Sequence, residues 1–573
     1  MRLNSEKKLQ RLQQQGEILQ MAGSITKHLL PVFLAGIIAA GIYVRFYNLQ
    51  WGQPFYFHPD ERQNVVYPIL DSKSPLLLDQ QNFDVGPLPL IAIKSIVSLK
   101  TFFSPKNTYS DKFEITLLTG RFISANISAL ISILIALIAM RLYGKKQALI
   151  SFFLALFSTG FIQYSHFATA ELLEAFFFLV IFYLCIQITK QPTIRAGIFL
   201  GIITGLALST KLLSLTIFPI VIYSFFLFGK KYIHQVFSLK KTIKKIYMPM
   251  WSFFIFSCIV FFLTSPQLLI NFSKVYESLQ YESSVTLGKI HVFYTGGFTD
   301  TIPGIFQLLH IYPFLINPLL TLFFIPCFLI VIFKGKRKKN YSYTMLAGFF
   351  FILFFSQSFF FTKWTRYYIP TLPFVYLILG IGIAEISEWI EKNISQKKGS
   401  IAKKIFIGGT FLICFVFSCA FFINTYFLPH SALIASRWAK HNLPKESRIL
   451  SETFDLGITP FNDDFKNIVL FDFYALDTDE EKTYQLDYLI RKTDIIILPG
   501  QRLSRSRIDN PGTFPNGFEF YNKLLLEKTQ FRKIYQTPCG IICKIAYMGS
   551  PRNLEETVSI FDRPTVTIYK KIP

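Results

Sequence analysis

The segment LLPVFLAGIIAAGIYVRFYNLQWGQPFYFHPDERQ, residues 29–63, joins an apolar run to a cluster of ionisable side chains. Residues 29–47 form the run, and a helix of this length crosses a hydrocarbon core of about 30 Å. The stretch FYFHPDERQ follows in the next loop and carries an imidazole, two adjacent carboxyl groups and a guanidinium. This order predicts a membrane anchor that delivers charged groups to the far side of the bilayer.

Composition excludes a soluble multidomain enzyme. The 573 residues are 51% hydrophobic and 17% aromatic, and the mean hydropathy is positive, as is typical of membrane proteins. The net charge of +24 lies mostly in short loops between apolar runs, where the topology bias of membrane insertion accounts for it. No nucleic-acid partner is therefore predicted.

Apolar runs of spanning length recur along the chain and predict a polytopic α-helical membrane protein of about eleven spans. The runs are 29–47, 115–140, 147–164, 172–189, 195–209, 212–228, 248–264, 308–333, 343–361, 367–387 and 404–426. Alternation from a cytoplasmic N-terminus puts the Lys/Arg-rich loops on the cytoplasmic side. Residues 86–103, with Lys94 and Lys100, are expected to lie at the outer interface; counting them as a crossing would invert every later loop, and twelve or thirteen spans is the alternative count.

The domain organisation follows from this topology. Residues 1–28 are predicted to be a basic cytoplasmic segment, and residues 29–427 a transmembrane domain with long outer loops at 48–114 and 265–305. Residues 428–573 are less apolar and predict an extracytoplasmic α/β domain, in which SALIASRWAKHN is a helix and KTDIIILPG contains a buried strand. The chain is thus expected to be a multi-pass protein of the plasma membrane.

Two features near the C-terminus have a specific structural expectation. Cys539 and Cys543 would lie about 13 Å apart in a strand, so they can pair only if the chain turns back between them. The segment EETVSIFDRPTVTIYKK, residues 555–571, has a β pattern that predicts two strands joined at DRP.

Carboxylates from three separate outer segments are candidates for chemistry. They are Asp60 and Glu61, then Glu171, then Glu282 with the neighbouring His291. Converging carboxylates suit a general base or a divalent metal, and burial or like-charge coupling makes a carboxylate more basic. The alternatives are that Asp60 and Glu61 start a helix after Pro59, and that Glu282 and His291 are solvated loop residues.

Cations lie at the same predicted boundary. Arg121, Lys211, Lys363 and Arg366 fall in or beside outer ends of apolar runs, where a charge is costly unless it is paired or faces a polar cavity. Their head groups suit a phosphate at lipid headgroup depth. Snorkelling cations at span ends are the alternative for Lys211 and Arg366.

Several motifs occur in an order that resembles the C-type glycosyltransferases, more narrowly the bacterial and archaeal phospholipid-carrier-dependent enzymes related to protein O-mannosyltransferases and aminoarabinose transferases. The motifs are FHPDE (57–61), PLPL (87–90), GRFISA (120–125), QYSHFATAE (163–171), GLALSTK (205–211), TSPQLLINF (264–272) and KWTRYYIPTLP (363–373). The resemblance covers nearly the whole chain after residue 28. It also includes the EETVSIFDRP segment, found in one bacterial subgroup.

The resemblance implies an inverting glycosyl transfer, hexosyl or pentosyl, from a polyprenyl-phosphate sugar to a protein, lipid or cell-envelope glycan at the extracytoplasmic face. It makes Asp60 the general base, assisted by Glu61 and by Glu171, which stands where relatives often have Asp. The carrier phosphate is expected at Lys211, Arg366 and Arg121. Further candidates are His58, Glu282, His291, Lys363 and Tyr367.

Cofactor and function leave alternatives open. A divalent cation held by Asp60 and Glu171 is one open case, and no other cofactor is expected. A lipid or sugar transporter without glycosyl transfer is the alternative function, although transporters typically have symmetric repeats and ionisable groups at the midplane. A noncatalytic membrane-anchored assembly factor is the third interpretation.

Overall fold

The computed structural model describes residues 32, 34–80, 83–103, 108–233, 243–453, 456–550 and 554–572. The cytoplasmic segment predicted at 1–28 lies outside these ranges. Seven described helices are long and apolar enough to cross a membrane: Tyr109–Leu142, Glu171–Lys190, Leu212–Lys230, Lys244–Thr264, Pro318–Lys338, Thr365–Asn393 and Lys397–Phe427. The pair Lys145–Leu156 and Thr159–Ser165 makes an eighth if it is one broken span.

Three more apolar helices match the three predicted crossings that remain of the eleven. They are Leu34–Phe46 and Ile194–Thr210, both shorter than a full span, and Tyr341–Ser358. Each predicted crossing overlaps one of these helices or helix pairs. The chain is therefore a polytopic α-helical membrane protein, as the hydropathy pattern predicts.

Two predicted crossings are interrupted in the structure. The run 147–164 bends by 50° between its two helices, where Ser158 accepts a hydrogen bond from the amide of Phe161 and starts the second helix. The run 308–333 is broken at Asn317, whose φ of 79° cannot continue a helix. Asn317 caps the helix that begins at Pro318 by accepting a hydrogen bond from the Leu320 amide.

The helix Ile194–Thr210 packs closely against the helix Met248–Thr264 through a stripe of glycines. A Cβ atom on Gly197, Gly201 or Gly205 would lie 2.1–2.7 Å from a carbonyl oxygen of the other helix. Small residues spaced by four allow two helix backbones to approach closely inside a membrane. This contact fixes the end of the first helix, where Lys211 is the C-terminal capping residue.

The first outer loop contains a helix that begins at Pro59. The helix Pro59–Glu61 leads into a π-helical turn, Arg62–Val66, and a further helix, Tyr67–Asp71. The expected helix start after Pro59 is thus present, and it does not exclude a place for Asp60 in a site, as shown below.

The segment expected at the outer interface is the helix Pro87–Phe103. It buries Leu90, Ile93 and Val97 on one side, while Phe102 and Phe103 are exposed. The Lys94 ammonium donates to two backbone carbonyls of the same loop. Its depth in the membrane stays a prediction.

The C-terminal region contains a five-stranded sheet. Its strands are Ile449–Glu452 (β1), Ile468–Phe471 (β2), Ile495–Leu498 (β3), Phe531–Gln536 (β4) and Thr567–Lys571 (β5). The order is β2-β1-β3-β5-β4; β1 is parallel to β2 and β3, whereas β5 is antiparallel to β3 and β4. The helices of this region are Ser431–Asn442, Glu480–Lys492, Arg502–Asp509, Pro515–Leu525 and Ile541–Ala546.

Alternating strand residues face two separate cores. Ile495 and Ile497 of β3 pack with the helix Ser431–Asn442, whereas Ile496 packs in a cluster with Leu524 of the helix Pro515–Leu525. Phe57, from the first outer loop, is buried in the former cluster. The sheet region therefore holds the residue that precedes the HPDE motif. The domain boundaries at residues 28/29 and 427/428 stay predictions.

Two expectations about the C-terminus have different outcomes. The chain turns back at the start of the helix Ile541–Ala546, and Cys539 forms a disulfide with Cys543 across a Cα–Cα distance of 5.2 Å. The two-strand prediction for EETVSIFDRPTVTIYKK is wrong in its first half. Thr557–Asp562 is a helical turn, because Glu555 accepts a hydrogen bond from the Thr557 amide at its start.

Candidate active site

A cavity of about 330 Å³ lies between the first outer loop, the segment that precedes the helix Glu171–Lys190, the loop 265–305, and the C-terminal region. Its walls are rich in carboxyl groups and aromatic rings. The acidic lining residues are Asp60, Asp84, Glu171, Glu282, Glu555 and Glu556; the basic ones are Arg366 and Arg502; the rings include His58, Tyr164, Tyr294, Trp364, His430 and Phe561.

The central contact of the cavity is the ion pair between Asp60 and Arg366. Both side chains are about 30% exposed (30% and 27%) and face the cavity. The Arg366 guanidinium also stacks on Trp364, with its central carbon 4.4 Å from the ring centroid. Burial alone would raise the pKa of Asp60, but the charge of Arg366 outweighs it and holds that pKa below the usual value.

The expectation that Asp60 is made more basic is therefore wrong for the substrate-free protein. The predicted like-charge coupling between Asp60 and Glu61 is also weakened, because Glu61 forms its own ion pair with Arg121.

A second pair joins Glu171 to Lys211 across 3.2 Å. Glu171 begins its helix at the cavity wall, and Lys211 lies where the helix Ile194–Thr210 ends. The ring of Tyr367 lies 5.8 Å from the Lys211 nitrogen and 5.9 Å from the guanidinium carbon of Arg366. Lys211 and Arg366 thus both lie near the ring of Tyr367, and each is paired with a carboxylate.

The third pair, Glu61 with Arg121, is fully buried. The Glu61 carboxylate accepts hydrogen bonds from Arg121 Nε and Nη2 at 2.8 and 2.6 Å and from the Ala168 amide at 2.6 Å. Arg121 Nη1 donates to the carbonyls of Leu49 and Trp51. Each guanidinium nitrogen already has an acceptor, and the residue does not line the cavity.

The arrangement therefore gives no support to Arg121 as a phosphate ligand, because its guanidinium is already engaged by Glu61 and two backbone carbonyls. With Glu61, Arg121 connects the first outer loop to the helix Tyr109–Leu142 and to residue 168. This buried pair fixes the backbone directly after Asp60.

Two further predicted residues line the cavity: His58 has aromatic neighbours, and Glu282 has an acidic one. The His58 ring packs between Phe167 and Phe561, with centroid distances of 4.3 and 4.8 Å, and burial lowers its pKa. Burial and then the adjacent Asp84 carboxyl raise the pKa of Glu282 to about 7.

Two predicted residues lie elsewhere. His291 is exposed, with its ring against Phe361. Lys363 is buried and donates to the Phe361 carbonyl at 3.0 Å. Neither belongs to the cavity lining in the described part of the chain; Lys211 and Tyr367 are also outside that lining, and they contact it through Glu171 and Arg366.

Sequence reasoning missed Asp84, Arg502, Glu555 and Glu556 as cavity residues. The one available signal was the EETVSIFDRP motif, whose β pattern predicts strands. Asp84 and Arg502 lie outside the motifs named above.

The residues expected to hold a divalent cation do not form a metal site as arranged. Asp60 and Glu171 each pair with a cationic side chain. Among the described residues, no group of three or more His, Cys, Asp or Glu side chains could hold a metal ion. No step is therefore assigned to a metal here.

Comparison with known proteins gives a family-level similarity over part of the chain. Residues 113–262 match the family model of dolichyl-phosphate-mannose-protein mannosyltransferases. No match was found among curated proteins. The matched segment contains the buried Arg121, the wall residue Glu171 and Lys211.

The chain is also similar to solved structures that it covers almost from end to end. The Archaeoglobus fulgidus oligosaccharyltransferase tethered to an acceptor peptide has a TM-score of 0.48 and 10% identity, over 94% of this chain and 88% of that one. ArnT from Cupriavidus metallidurans bound to undecaprenyl phosphate has a TM-score of 0.45 and 11% identity, over 94% and 98%. At these values no residue role is transferred. Within residues 113–262, the chain is similar to the dolichyl-phosphate-mannose-protein mannosyltransferase family.

Proposed function

We propose that the protein transfers a sugar from a polyprenyl-phosphate carrier to an acceptor at the extracytoplasmic face of the plasma membrane. The observation that carries the proposal is the meeting of two carboxylate–cation pairs, Asp60 with Arg366 and Glu171 with Lys211, from four distant segments. A reaction that removes a proton and releases a phosphate needs both kinds of group side by side. The family similarity over residues 113–262 agrees with this reaction class.

Arg366 and Lys211 are the proposed phosphate ligands. A guanidinium binds phosphate oxygens in a bidentate manner, and an ammonium contributes a point charge. When the carrier phosphate takes over Arg366, Asp60 loses the largest of the charges that lower its pKa. The carboxylate is then a stronger base, so donor binding would activate the general base.

The transfer is written as a single displacement. The acceptor hydroxyl gives its proton to Asp60 as its oxygen forms a bond to the anomeric carbon. The bond between that carbon and the phosphate oxygen breaks, and its electron pair leaves with the phosphate, where Arg366 and Lys211 stabilise the growing negative charge. Attack opposite the leaving group inverts the anomeric configuration.

The remaining predicted residues have supporting roles in this scheme. Glu171 orients Lys211 through their ion pair, and Tyr367 separates the two cations. Glu61 and Arg121 hold the loop that carries Asp60. The proposal covers hexosyl and pentosyl donors, and protein, lipid and glycan acceptors.

The disulfide between Cys539 and Cys543 supports the proposed orientation. Disulfides persist in extracytoplasmic compartments and are rare in the reducing cytosol. The C-terminal sheet and the cavity would then face outward, and the N-terminus would lie in the cytoplasm.

The test uses membranes with the wild-type or the Asp60→Asn protein. They receive radiolabelled polyprenyl-phosphate mannose or polyprenyl-phosphate pentose, with the envelope fraction of a deletion strain as acceptor. The asparagine keeps the shape but cannot take the proton, so we expect label transfer to fall by about 10²–10⁴-fold. Glu519→Gln, in an exposed pair with Lys523, is the matched control and should transfer normally.

Full transfer by Asp60→Asn would remove the role of Asp60 as base. Absence of transfer by the wild-type protein from every lipid-phosphate sugar would contradict the proposed function as a whole.

A further inference from the structure

We infer that the C-terminal turn around Glu555 is the acceptor-recognition element of this enzyme, and that Glu555 accepts a hydrogen bond from an acceptor hydroxyl group. The inference rests on the proposed glycosyl transfer and adds a subsite to it. Its basis is the position of the turn, a buried Glu555 oxygen that has no hydrogen-bond partner among the described residues, and the crevice that Glu555 also lines.

The turn is attached directly to the catalytic cluster. Glu555 Oε2 accepts a hydrogen bond from the hydroxyl of Thr365, the residue before Arg366, and another from the Thr557 amide. Phe561, at the other end of the turn, packs against the ring of His58. The C-terminal segment thus contacts both halves of the Asp60–Arg366 pair through their sequence neighbours.

Further contacts keep the turn in place. Asp562 accepts from the Gln163 amide group at 2.6 Å, and Arg563 donates to the Asn424 carbonyl at 3.0 Å. Glu556 is paired with Arg502. A segment held at so many points can present one side chain to a ligand in a fixed direction.

Glu555 retains one unused acceptor. The residue is only 4% exposed, yet Oε1 has no hydrogen-bond partner among the described residues. Burying a carboxylate oxygen without a donor is costly. Glu555 lines the cavity, so a ligand in the cavity can supply the missing donor.

The position of Glu555 favours the acceptor over the donor. Glu555, Glu556 and Arg502 line both the cavity and a smaller crevice of about 60 Å³, whose other walls include Gln501, Arg505 and Ser506 of the C-terminal region. The donor phosphate, in contrast, is assigned to Lys211 and Arg366 at the end of the membrane helices. A hydroxyl group that enters from the crevice side would meet Glu555 before it meets Asp60.

The test compares Glu555→Gln with the wild-type protein, both full-length in detergent. Glutamine can keep the Thr365 and Thr557 bonds through its oxygen, and it then presents an NH₂ donor to the cavity instead of an acceptor. Transfer of label from polyprenyl-phosphate mannose or pentose is measured against the envelope fraction of a deletion strain. Each reactant is titrated at saturating levels of the other.

We expect the half-saturating amount of envelope acceptor to rise at least tenfold in Glu555→Gln. The half-saturating donor concentration and the maximal rate should stay within twofold, and Glu519→Gln should match the wild type in all three. An unchanged acceptor requirement, or a rise in the donor requirement alone, would overturn the inference while leaving the proposed function intact. A wild-type protein without transfer would overturn both.

A second measurement does not depend on the folding of a variant. The wild-type protein is treated with a carbodiimide and glycine ethyl ester, and amidation of Glu555 is measured by peptide mass spectrometry. The envelope acceptor should protect Glu555 by at least fivefold, and the donor lipid alone should not. Protection by the donor alone, equal labelling under all conditions, or no labelling of Glu555 would contradict the inference.

Discussion

Glu282 and Asp84 form an acidic pair in the cavity wall, and the protonation of Glu282 makes the stability of the fold depend on pH. The pKa of Glu282 is raised to about 7 by burial and by the hydrogen-bonded Asp84 carboxyl, although Arg366 opposes the shift. The ordinary value is 4.5. Between pH 4.5 and about pH 7, Glu282 keeps its proton in the folded protein but has lost it in the unfolded chain. The free energy of unfolding therefore falls as the pH rises through this range.

Glu282→Gln removes this titration. From pH 5 to pH 8 we expect the wild-type protein to lose about 1 kcal/mol of stability relative to the variant, since solvent screening of this partly exposed group reduces the effect. The measurement is the apparent melting temperature of both detergent-purified proteins at each pH. Glu277→Gln, an exposed change on the same helix, should keep the wild-type pH dependence; the same dependence in Glu282→Gln would contradict the assignment.

At the scale of single residues, the sequence indicates which side chains come together better than it indicates which of them form ion pairs. Asp60, Glu171, Lys211 and Arg366 lie in a common cluster, and their roles stay predictions. Arg121 pairs with the buried Glu61 instead, because a position at the start of an apolar run looks the same in the sequence whether it faces a cavity or a buried carboxylate. Partner choice depends on which side chain packs opposite, and no local pattern contains that information.

Among the helices, the contact between Ile194–Thr210 and Met248–Thr264 has a clear energetic basis. The Gly201 Cα hydrogen faces the Phe253 carbonyl, and a Cβ atom there would lie 2.5 Å from that oxygen. The hydroxyl of Ser257 also donates to the Gly201 carbonyl at 3.2 Å. The backbones can satisfy both contacts only while the residue has no side chain.

Gly201→Ala is expected to destabilise the protein by about 1–3 kcal/mol, because the two helices must separate to admit the methyl group. The same change at Gly408 is the matched control, since nothing lies within 4 Å of a Cβ at that helical position. There alanine should be neutral or slightly stabilising. Both are measured as apparent melting temperatures in detergent; equal values would exclude close packing at Gly201.

Helix breaks were harder to predict than helices. Hydropathy identified every apolar run, but it averages over about twenty residues and does not detect a break within a run. The interruption at Asn317 depends on a positive φ and a cap. The turn at Thr557–Asp562 looked like a strand because its β-branched residues alternate, yet burial on both sides and the Glu555 contact to Thr557 favour a helical turn.

The orientation of the whole molecule can be tested through its one described disulfide. If the C-terminal region is extracytoplasmic, Cys539 and Cys543 are oxidised in cells. Cells are lysed into denaturant with N-ethylmaleimide, and peptides are analysed by mass spectrometry. Cys258, a free and exposed thiol, should be alkylated at once.

The peptide with Cys539 and Cys543 should be alkylated only after reduction. Alkylation without a reductant would place this region in a reducing compartment and invert the proposed topology. The Cys258 result shows that the reagent has reached the protein.

The sequence by itself determined the membrane class, the apolar helices, the presence of a C-terminal α/β region and the main candidate residues. These properties are local, because hydropathy, periodicity and turn residues act over a few to twenty positions. The tertiary structure decided which charges meet. Asp60 pairs with a guanidinium 306 positions away, and the C-terminal turn reaches Thr365 across 190 positions. Such contacts arise only when the helices and the sheet are packed together, since the desolvation that makes each ion pair necessary exists only in the folded protein.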